Sequence, residues 1–312
     1  MNHPSVSEVF RRPLPHLLAE AHRIHQESFP EGVVQLSSLL SIKTGGCPEN
    51  CSYCPQSAHY QTGVKKESLL SVESVQERAR EAQASGATRF CMGAAWREVK
   101  DGPEFDRVLE MVGAVRSLGL EVCCTLGMLS EPQAQRLKEA GLYAYNHNID
   151  SSRSFYEKII STRTYDDRLR TIENVRRAGI TVCTGGIIGM GESEEDRIDF
   201  LAQLTGFDPP PESVTINALI PTPGTPLESA ASATGLELLR VIATTRILMP
   251  ASMIRLSAGR KGLSDESQFL CFYAGANSIF LGERLLTSAN PAISDDLSLL
   301  EKAGYRPVRA ET

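Results

Sequence analysis

Three cysteines fall within eight residues, in the run Cys47-Pro-Glu-Asn-Cys51-Ser-Tyr-Cys54, directly after a Thr44-Gly45-Gly46 turn. Thiolates are soft ligands that select zinc or the iron of iron–sulfur clusters. The run supplies three of them and no fourth. A structural zinc site is normally closed by a fourth nearby Cys or His, for which His59 is the nearest candidate; an incomplete set instead leaves a metal position open to a substrate or cofactor.

A second set is dispersed. Cys91, Cys123 and Cys183 each sit in a short apolar run. Singly, each reads as a small buried hydrophobe, a common fate of free cysteine. Together, on strands whose side chains alternate, they can face one interior. Cys124 has the opposite parity to Cys123, so without a bulge only one of the two faces inward, and parity alone does not choose. Asn146, Asn148 and Asp150 alternate in the same way and share a face. Amides and a carboxylate there suit hydrogen bonding to a ribose or a cyclic urea, against the competing reading of a strand that simply ends in polar residues. His147 then points the other way and reads as structural, while Cys124 and Cys271 read as buried thiols. The stretch Gly185-Gly186-Ile187-Ile188-Gly189-Met190-Gly191 lacks both the Lys-Ser/Thr ending and the GxGxxG order of phosphate loops. Glu192, Glu194, Glu195 and Asp196 follow it, where a phosphate would sit, and Ser193 with Asp196 reads as a capping box.

The elements that must position these residues recur about every thirty residues, as βα units do. Candidate strands are Gln35–Lys43, Thr88–Gly93, Glu121–Leu126, Tyr143–Ile149, Thr181–Ile188, Ser213–Ile220, Met253–Ala258 and Ser278–Leu281. Between them Val72–Ala84, Glu104–Ser117, Pro132–Ala140, Asp166–Ala178 and Gly235–Met249 read as amphipathic helices. Gly86, Gly119, Gly141 and Gly179 each follow a helical run and precede a strand, where a left-handed residue stops a helix. Eight such strands predict an α/β fold, a (β/α)₈ TIM-type barrel, rather than an open doubly wound sheet, because no dinucleotide fingerprint follows the first strand. The expected division is a helical N-terminal extension over 1–34, the barrel over 35–290 and a short C-terminal segment over 291–312.

Composition limits the partners. In 312 residues, 41% are apolar and 22% charged, ordinary globular usage, and the formal net charge of −6 opposes attraction to nucleic acid or anionic membrane. No apolar run is long enough for a membrane span or a secretory signal. Eight cysteines are too sparse for a disulfide scaffold. The expectation is a cytoplasmic protein with a small-molecule substrate.

The CxxxCxxC spacing, with aromatic Tyr53 before the last cysteine, resembles the signature of the radical S-adenosylmethionine superfamily. Four further segments resemble the biotin synthase family within it: Phe90-Cys-Met-Gly-Ala-Ala-Trp96, Tyr145-Asn-His-Asn-Ile-Asp150, Val182-Cys-Thr-Gly-Gly186 and Arg255-Leu-Ser-Ala-Gly-Arg260. The likeness runs from about Leu36 to Leu286. It implies a four-iron four-sulfur (4Fe-4S) cluster on Cys47, Cys51 and Cys54, and S-adenosylmethionine bound by Tyr53, Gly93, Ala94, Ala95, Asn148, Asp150 and Ile187. It also implies a two-iron two-sulfur (2Fe-2S) cluster on Cys91, Cys123, Cys183 and Arg255. Without the resemblance Arg255 would read as an ion-pair or barrel-lining residue, because guanidinium is normally protonated. Dethiobiotin would lie against Asn146, Asn148 and Asn217, and receive sulfur from the two-iron cluster by radical chemistry that needs no side-chain acid or base. The resemblance further implies a flavodoxin-type electron donor and a homodimer. Two rivals are a hydrogenase-maturation enzyme of the same fold and a noncatalytic iron–sulfur carrier.

Overall fold

The computed structural model of the chain describes residues 5–30 and 32–308. Eight parallel strands close into a barrel: β1 (Val33–Lys43), β2 (Arg89–Ala94), β3 (Glu121–Thr125), β4 (Ala144–Asn146), β5 (Thr181–Ile188), β6 (Ser213–Ala218), β7 (Met253–Leu256) and β8 (Ser278–Leu281). Each pairs with the next, and β1 closes the ring by pairing with both β2 and β8. This is the (β/α)₈ TIM-type fold that the spacing of the strands predicts.

The strands are buried on both faces, so their parity has consequences inside and out. Along β2, Phe90 and Met92 pack outward against the helices, whereas Cys91 joins Cys123, Ala144, Phe280 and Leu285 in a separate inner cluster. On β3 the same alternation sends Cys124 outward and Cys123 inward. The choice that parity left open is thereby settled by the direction in which β3 is pleated.

The ring of helices comprises α3 (Val72–Ala84), α4 (Pro103–Arg116), α5 (Glu131–Ala140), α6 (Arg153–Ile159), α7 (Tyr165–Arg177), α8 (Glu194–Thr205), α9 (Gly235–Leu248) and α10 (Asp265–Tyr273). Sequence signals start and stop them. Reciprocal capping boxes open α5 (Ser130 with Gln133), α7 (Thr164 with Asp167), α8 (Ser193 with Asp196) and α9 (Thr234 with Glu237). Gly86, Gly119, Gly141 and Gly179 all take positive φ after their helices. Two helices, α6 and α7, separate β4 from β5; sequence periodicity reveals α7 but not α6, which is only seven residues long.

Two helices, the short α1 (Val6–Phe10) and the longer α2 (Leu14–Ser28), lie against α9, where Arg240 Nη1 donates to the carbonyls of Phe10 and Arg12 at 2.6 and 2.8 Å. At the other end, α11 (Ile293–Ala303) is followed by a two-residue strand, β9 (Arg306–Pro307), that adds to β1 at Val33 and Val34. Both flanking segments are therefore fastened to the barrel. No helix among the described residues is long and apolar enough to cross a membrane.

The fourth strand is shorter than its alternation predicts, ending at Asn146 rather than Ile149. The backbone leaves the ladder there and returns to it: His147 N donates to the Cys183 carbonyl at 2.9 Å and Asp150 N to Gly185 at 3.0 Å. Asp150 makes the return in a left-handed conformation, φ 67°. Gly185 and Gly186 make room for that path. A Cβ on Gly186 would lie 2.5 Å from the Asp150 carbonyl oxygen, and one on Gly185 would lie 1.9 Å from that of Thr215. These two glycines therefore serve close approach of the chain to itself.

Candidate active site

The segment joining β1 to α3 carries the contiguous cysteines and folds back over the C-terminal mouth of the barrel. Cys47 N donates to the Gln56 carbonyl at 2.9 Å and Ala58 N to that of Cys47 at 2.7 Å, closing a tight loop around the three thiols. The turn before it needs glycine: Gly45 has φ 70° and a Cβ would lie 2.7 Å from the Lys65 carbonyl oxygen. Burial pushes all three thiols up, Cys54 to about 12, so each would stay protonated unless a metal's own charge held the thiolate.

Among the described residues no three His, Cys, Asp or Glu side chains converge on one ion. His59, the candidate for closing a zinc site, instead places Nε2 3.0 Å from the Pro48 carbonyl oxygen. Three thiols that share a loop without converging suit a polynuclear cluster, in which each binds a different iron.

Below the loop lies a cavity of about 1150 Å³ including its open mouth. Tyr53 and Cys54 line its rim, Asn146, Asn148, Asp150, Ile187 and Asn217 its waist, and Cys91, Cys123 and Arg255 its floor. Active sites of this fold sit at the C-terminal ends of the strands, where these waist residues are. Cys47, Cys51, Cys183 and the β2-terminal residues Gly93, Ala94 and Ala95 are not among the residues that line it, although Gly93 lies against the lining residue Leu286. Cys183 adjoins the cavity through Asn146, whose Nδ2 is 3.3 Å from its sulfur.

Asp150, 2% exposed, accepts from Tyr53 Oη at 2.7 Å and pairs with Arg168. Arg168 also donates to the Asn148 carbonyl at 2.6 Å and to Tyr156 Oη at 2.9 Å. One buried guanidinium thus orients the main chain of one waist residue and the carboxylate of another. Sequence reasoning missed Arg168, although the signal was present: it occupies the inward stripe of α7 with Tyr165, Ile172 and Val175. A charged residue at such a position is buried only if paired.

The amides form a row. Thr125 Oγ1 donates to Asn146 Oδ1 at 3.3 Å, Asn146 Nδ2 to Asn148 Oδ1 at 3.2 Å, and Thr215 Oγ1 to the same Oδ1 at 2.9 Å. Asn217 is spoken for at both ends, donating to the Gly186 carbonyl at 3.0 Å and accepting from Ala258 N at 3.2 Å. Asn148 lines the cavity and its Nδ2 makes no hydrogen bond to the described residues, so its two donor protons are unused. His147 turns away and is buried beside Tyr145; burial holds its imidazole well below the usual range, in the neutral form.

At the floor, Cys91 and Cys123 are register partners. Cys91 is held below the ordinary thiol range, first by the Cys123 thiol hydrogen-bonded to it and then by the cations Arg255 and Arg89. Arg255 is 1% exposed, stacks 4.4 Å from the Phe280 ring and donates only to hydroxyls, Ser278 and Ser37, each at 3.0 Å. No carboxylate among the described residues pairs with it. A buried cation without a counter-ion is costly, and an anionic thiolate–sulfide cluster beside it would supply that counter-charge.

The glycine-rich stretch after β5 holds no phosphate-like vacancy, since Glu192 folds its carboxylate back onto Gly189 N and Met190 N at 2.9 and 2.7 Å.

Known proteins resemble the chain in sequence and in fold. The Radical SAM superfamily model matches residues 41–204 and the Biotin and Thiamin Synthesis associated domain matches 215–306, a boundary that falls inside the closed barrel. The biotin synthase of Sorangium cellulosum (strain So ce56) is 61% identical over 95% of this chain and 85% of its own length. That of Myxococcus xanthus (strain DK1622) is 60% identical over 97% and 89%. Among solved structures, HydG, a maturase of the [FeFe]-hydrogenase, has TM-score 0.83 at 16% identity, covering 98% of this chain and 72% of its own. At that identity the likeness is one of fold.

Proposed function

Since the chain belongs to the biotin synthase family of radical S-adenosylmethionine enzymes, we propose that its two cysteine sets hold two different clusters, with the substrates between them. The enzyme inserts sulfur into dethiobiotin to form biotin, and uses S-adenosylmethionine and a 4Fe-4S cluster. When bound, these cofactors supply the radical that removes hydrogen from an unactivated carbon.

The chain's own residues bind and orient. Cys47, Cys51 and Cys54 hold the 4Fe-4S cluster at the mouth. Asp150, fixed by Tyr53 and Arg168, accepts the ribose hydroxyls of S-adenosylmethionine, with the end of β2 at Gly93, Ala94 and Ala95 and Ile187 framing the cofactor. Asn148 offers its free amide protons to the ureido oxygen of dethiobiotin, while Asn146 and Asn217 shape the pocket around it. Cys91, Cys123, Cys183 and Arg255 hold a 2Fe-2S cluster, the sulfur source, at the floor. A flavodoxin-type protein supplies electrons and the enzyme is a homodimer in the reducing cytoplasm, where its eight free cysteines stay unpaired.

The observation that carries this reading is a single cavity with Cys54 at its rim, Cys91 and Cys123 at its floor and the unused Nδ2 donor of Asn148 between. Anaerobic iron and sulfide analysis with Mössbauer spectroscopy, beside assays for 5′-deoxyadenosine and biotin, tests it. Both cluster types and both products are expected; a four-iron signal alone, with biotin still formed, would remove the floor cluster.

A further inference from the structure

The connection between α6 and α7 is bound to the cysteine loop across more than a hundred residues of sequence. Asn50 Nδ2 donates to Ser161 Oγ at 2.7 Å, and its Oδ1 accepts from the backbone N–H groups of Ser161 and Thr162 at 3.0 and 3.2 Å. Ser52 N donates to the Ile159 carbonyl at 2.9 Å. This clamp presses Arg163 against the loop. Its side chain is 9% exposed, Nη2 lies 4.0 Å from the Cys51 sulfur, and Nε has no hydrogen-bond partner among the described residues.

The nearest anion to Arg163 is Glu49, inside the cysteine motif itself, with 2% side-chain exposure. Glu49 is shared: Oε2 is 4.0 Å from Arg163 Nε, Oε1 is 3.6 Å from Arg97 Nε, and Thr162 Oγ1 donates to it. Two guanidinium groups thus meet one carboxylate, and the surplus positive charge faces Cys51. A guanidinium with unused donors, desolvated beside a thiol, is poorly compensated as it stands. An anionic cluster on that thiol would complete it.

We propose that Arg163 is a positioning residue that sets the reduction potential of the 4Fe-4S cluster, with Glu49 as the opposing charge. The inference rests on the assignment of Cys51 to that cluster. One-electron reduction adds one negative charge to the cluster and oxidises the external donor by one electron. A fixed cation at the ligand sulfur stabilises the reduced form more than the oxidised form, and a buried anion does the reverse. Neither residue passes the electron. Each shifts the balance at which it is accepted.

The test is a redox titration of the anaerobically reconstituted full-length enzyme, without substrates, followed by the EPR signal of the reduced four-iron cluster. At the midpoint of the unaltered enzyme, Arg163→Gln is expected to lower the reduced-to-oxidised ratio about tenfold, equivalent to ~59 mV for a one-electron couple. Arg163→Lys, which keeps the charge, should restore the ratio to within about threefold, or ~30 mV on the same scale. Glu49→Gln should move it the opposite way. An unchanged midpoint in Arg163→Gln with full iron content overturns the proposal. If Arg163→Gln loses its iron, Glu49→Gln decides: easier reduction upholds the proposal, and an unchanged or harder reduction overturns it. Absence of a reducible four-iron signal from the unaltered enzyme would instead overturn the assignment of the cysteines.

Discussion

The two cysteine sets are positioned by different means. Cys47, Cys51 and Cys54 lie on one loop whose shape comes from short-range hydrogen bonds and from the clamp at Asn50, so their spacing is nearly a property of the local sequence. Cys91, Cys123 and Cys183 lie on β2, β3 and β5, and meet only because strands far apart in sequence pair in register across β2 to β5. Their electrostatic settings differ in the same sense. Burial pushes the loop thiols up, whereas Arg255 and Arg89 help hold Cys91 down. The loop site is shaped by local hydrogen bonds but sits among buried, protonated thiols, while at the strand site the Cys123 hydrogen bond and then the nearby cations favour one thiolate, Cys91, at the expense of Cys123 itself, which is pushed up.

The largest effect that separates the two regions is expected from Cys54→Ala. Two remaining loop thiolates should not hold the upper cluster, and S-adenosylmethionine cleavage and biotin formation should both disappear. Full cleavage, measured as 5′-deoxyadenosine, would break the assignment of the loop. Cys183→Ala should be more selective. The two-iron Mössbauer signal and biotin are expected to be lost while the four-iron signal and some 5′-deoxyadenosine formation survive. Truncating one buried side chain costs at most a few kcal/mol, about what a core cavity costs, and leaves a barrel of this size folded. If the two-iron signal and biotin both persist, Cys183 is only a core thiol and the contrast between loop and strand sites fails at that residue.

How much of this was legible follows the same division. The loop motif could be read directly, because its three ligands are consecutive in sequence and its glycine turn is local. Cys91 and Cys123 required the barrel, which the regular spacing of strands and of helix-stopping glycines predicts. Choosing Cys123 over Cys124 required more, since strand parity gives two equal answers until the sheet has a defined inside. The irregular path from Asn146 to Asp150 was invisible, because Asp150 adopts positive φ only where Gly185 and Gly186 leave space on the neighbouring strand. Arg163 was missed for a similar reason: nothing near it in sequence shows that Asn50 will draw its loop against Cys51. Contacts that depend on two distant segments arriving together carry no local signature.

A smaller effect would sharpen the contrast from the space between the sites. Asn148→Ala should leave the iron content and both Mössbauer signals unchanged, because its side chain faces the cavity and touches no cysteine. Loss of one hydrogen bond to a bound ligand is worth about 1–3 kcal/mol, so kcat/KM for dethiobiotin should fall roughly 5- to 150-fold. Unchanged kinetics with intact iron would refute the contact. Loss of iron would show that the amide row supports a cluster, by way of Asn146 and Cys183, and is not a separate ligand-binding layer.

The smallest effect concerns the scaffold that both sites share. His25 on α2 is buried near Arg246, with no acid beside it and Nδ1 unpartnered among the described residues. Burial first, and then the neighbouring cation, bring its imidazole down from 6.5 to about 4. The unfolded chain therefore takes up a proton as pH falls below 6.5, while the folded chain resists until about 4. The stabilisation is fully present above the upper value, declines as pH falls through the interval, and is lost below it. Between pH 7 and pH 5 the change should be about 2 kcal/mol at most. Urea unfolding at these two pH values, followed by far-ultraviolet circular dichroism, measures it: His25→Gln should shrink the difference by that amount, and the part that remains belongs to groups such as His147, which burial also holds neutral. If the loop cluster were also released over this interval, acid would act on both regions at once. Iron retained at pH 5 alongside a lowered urea midpoint would instead show that the scaffold weakens as a whole, before either cluster site gives way.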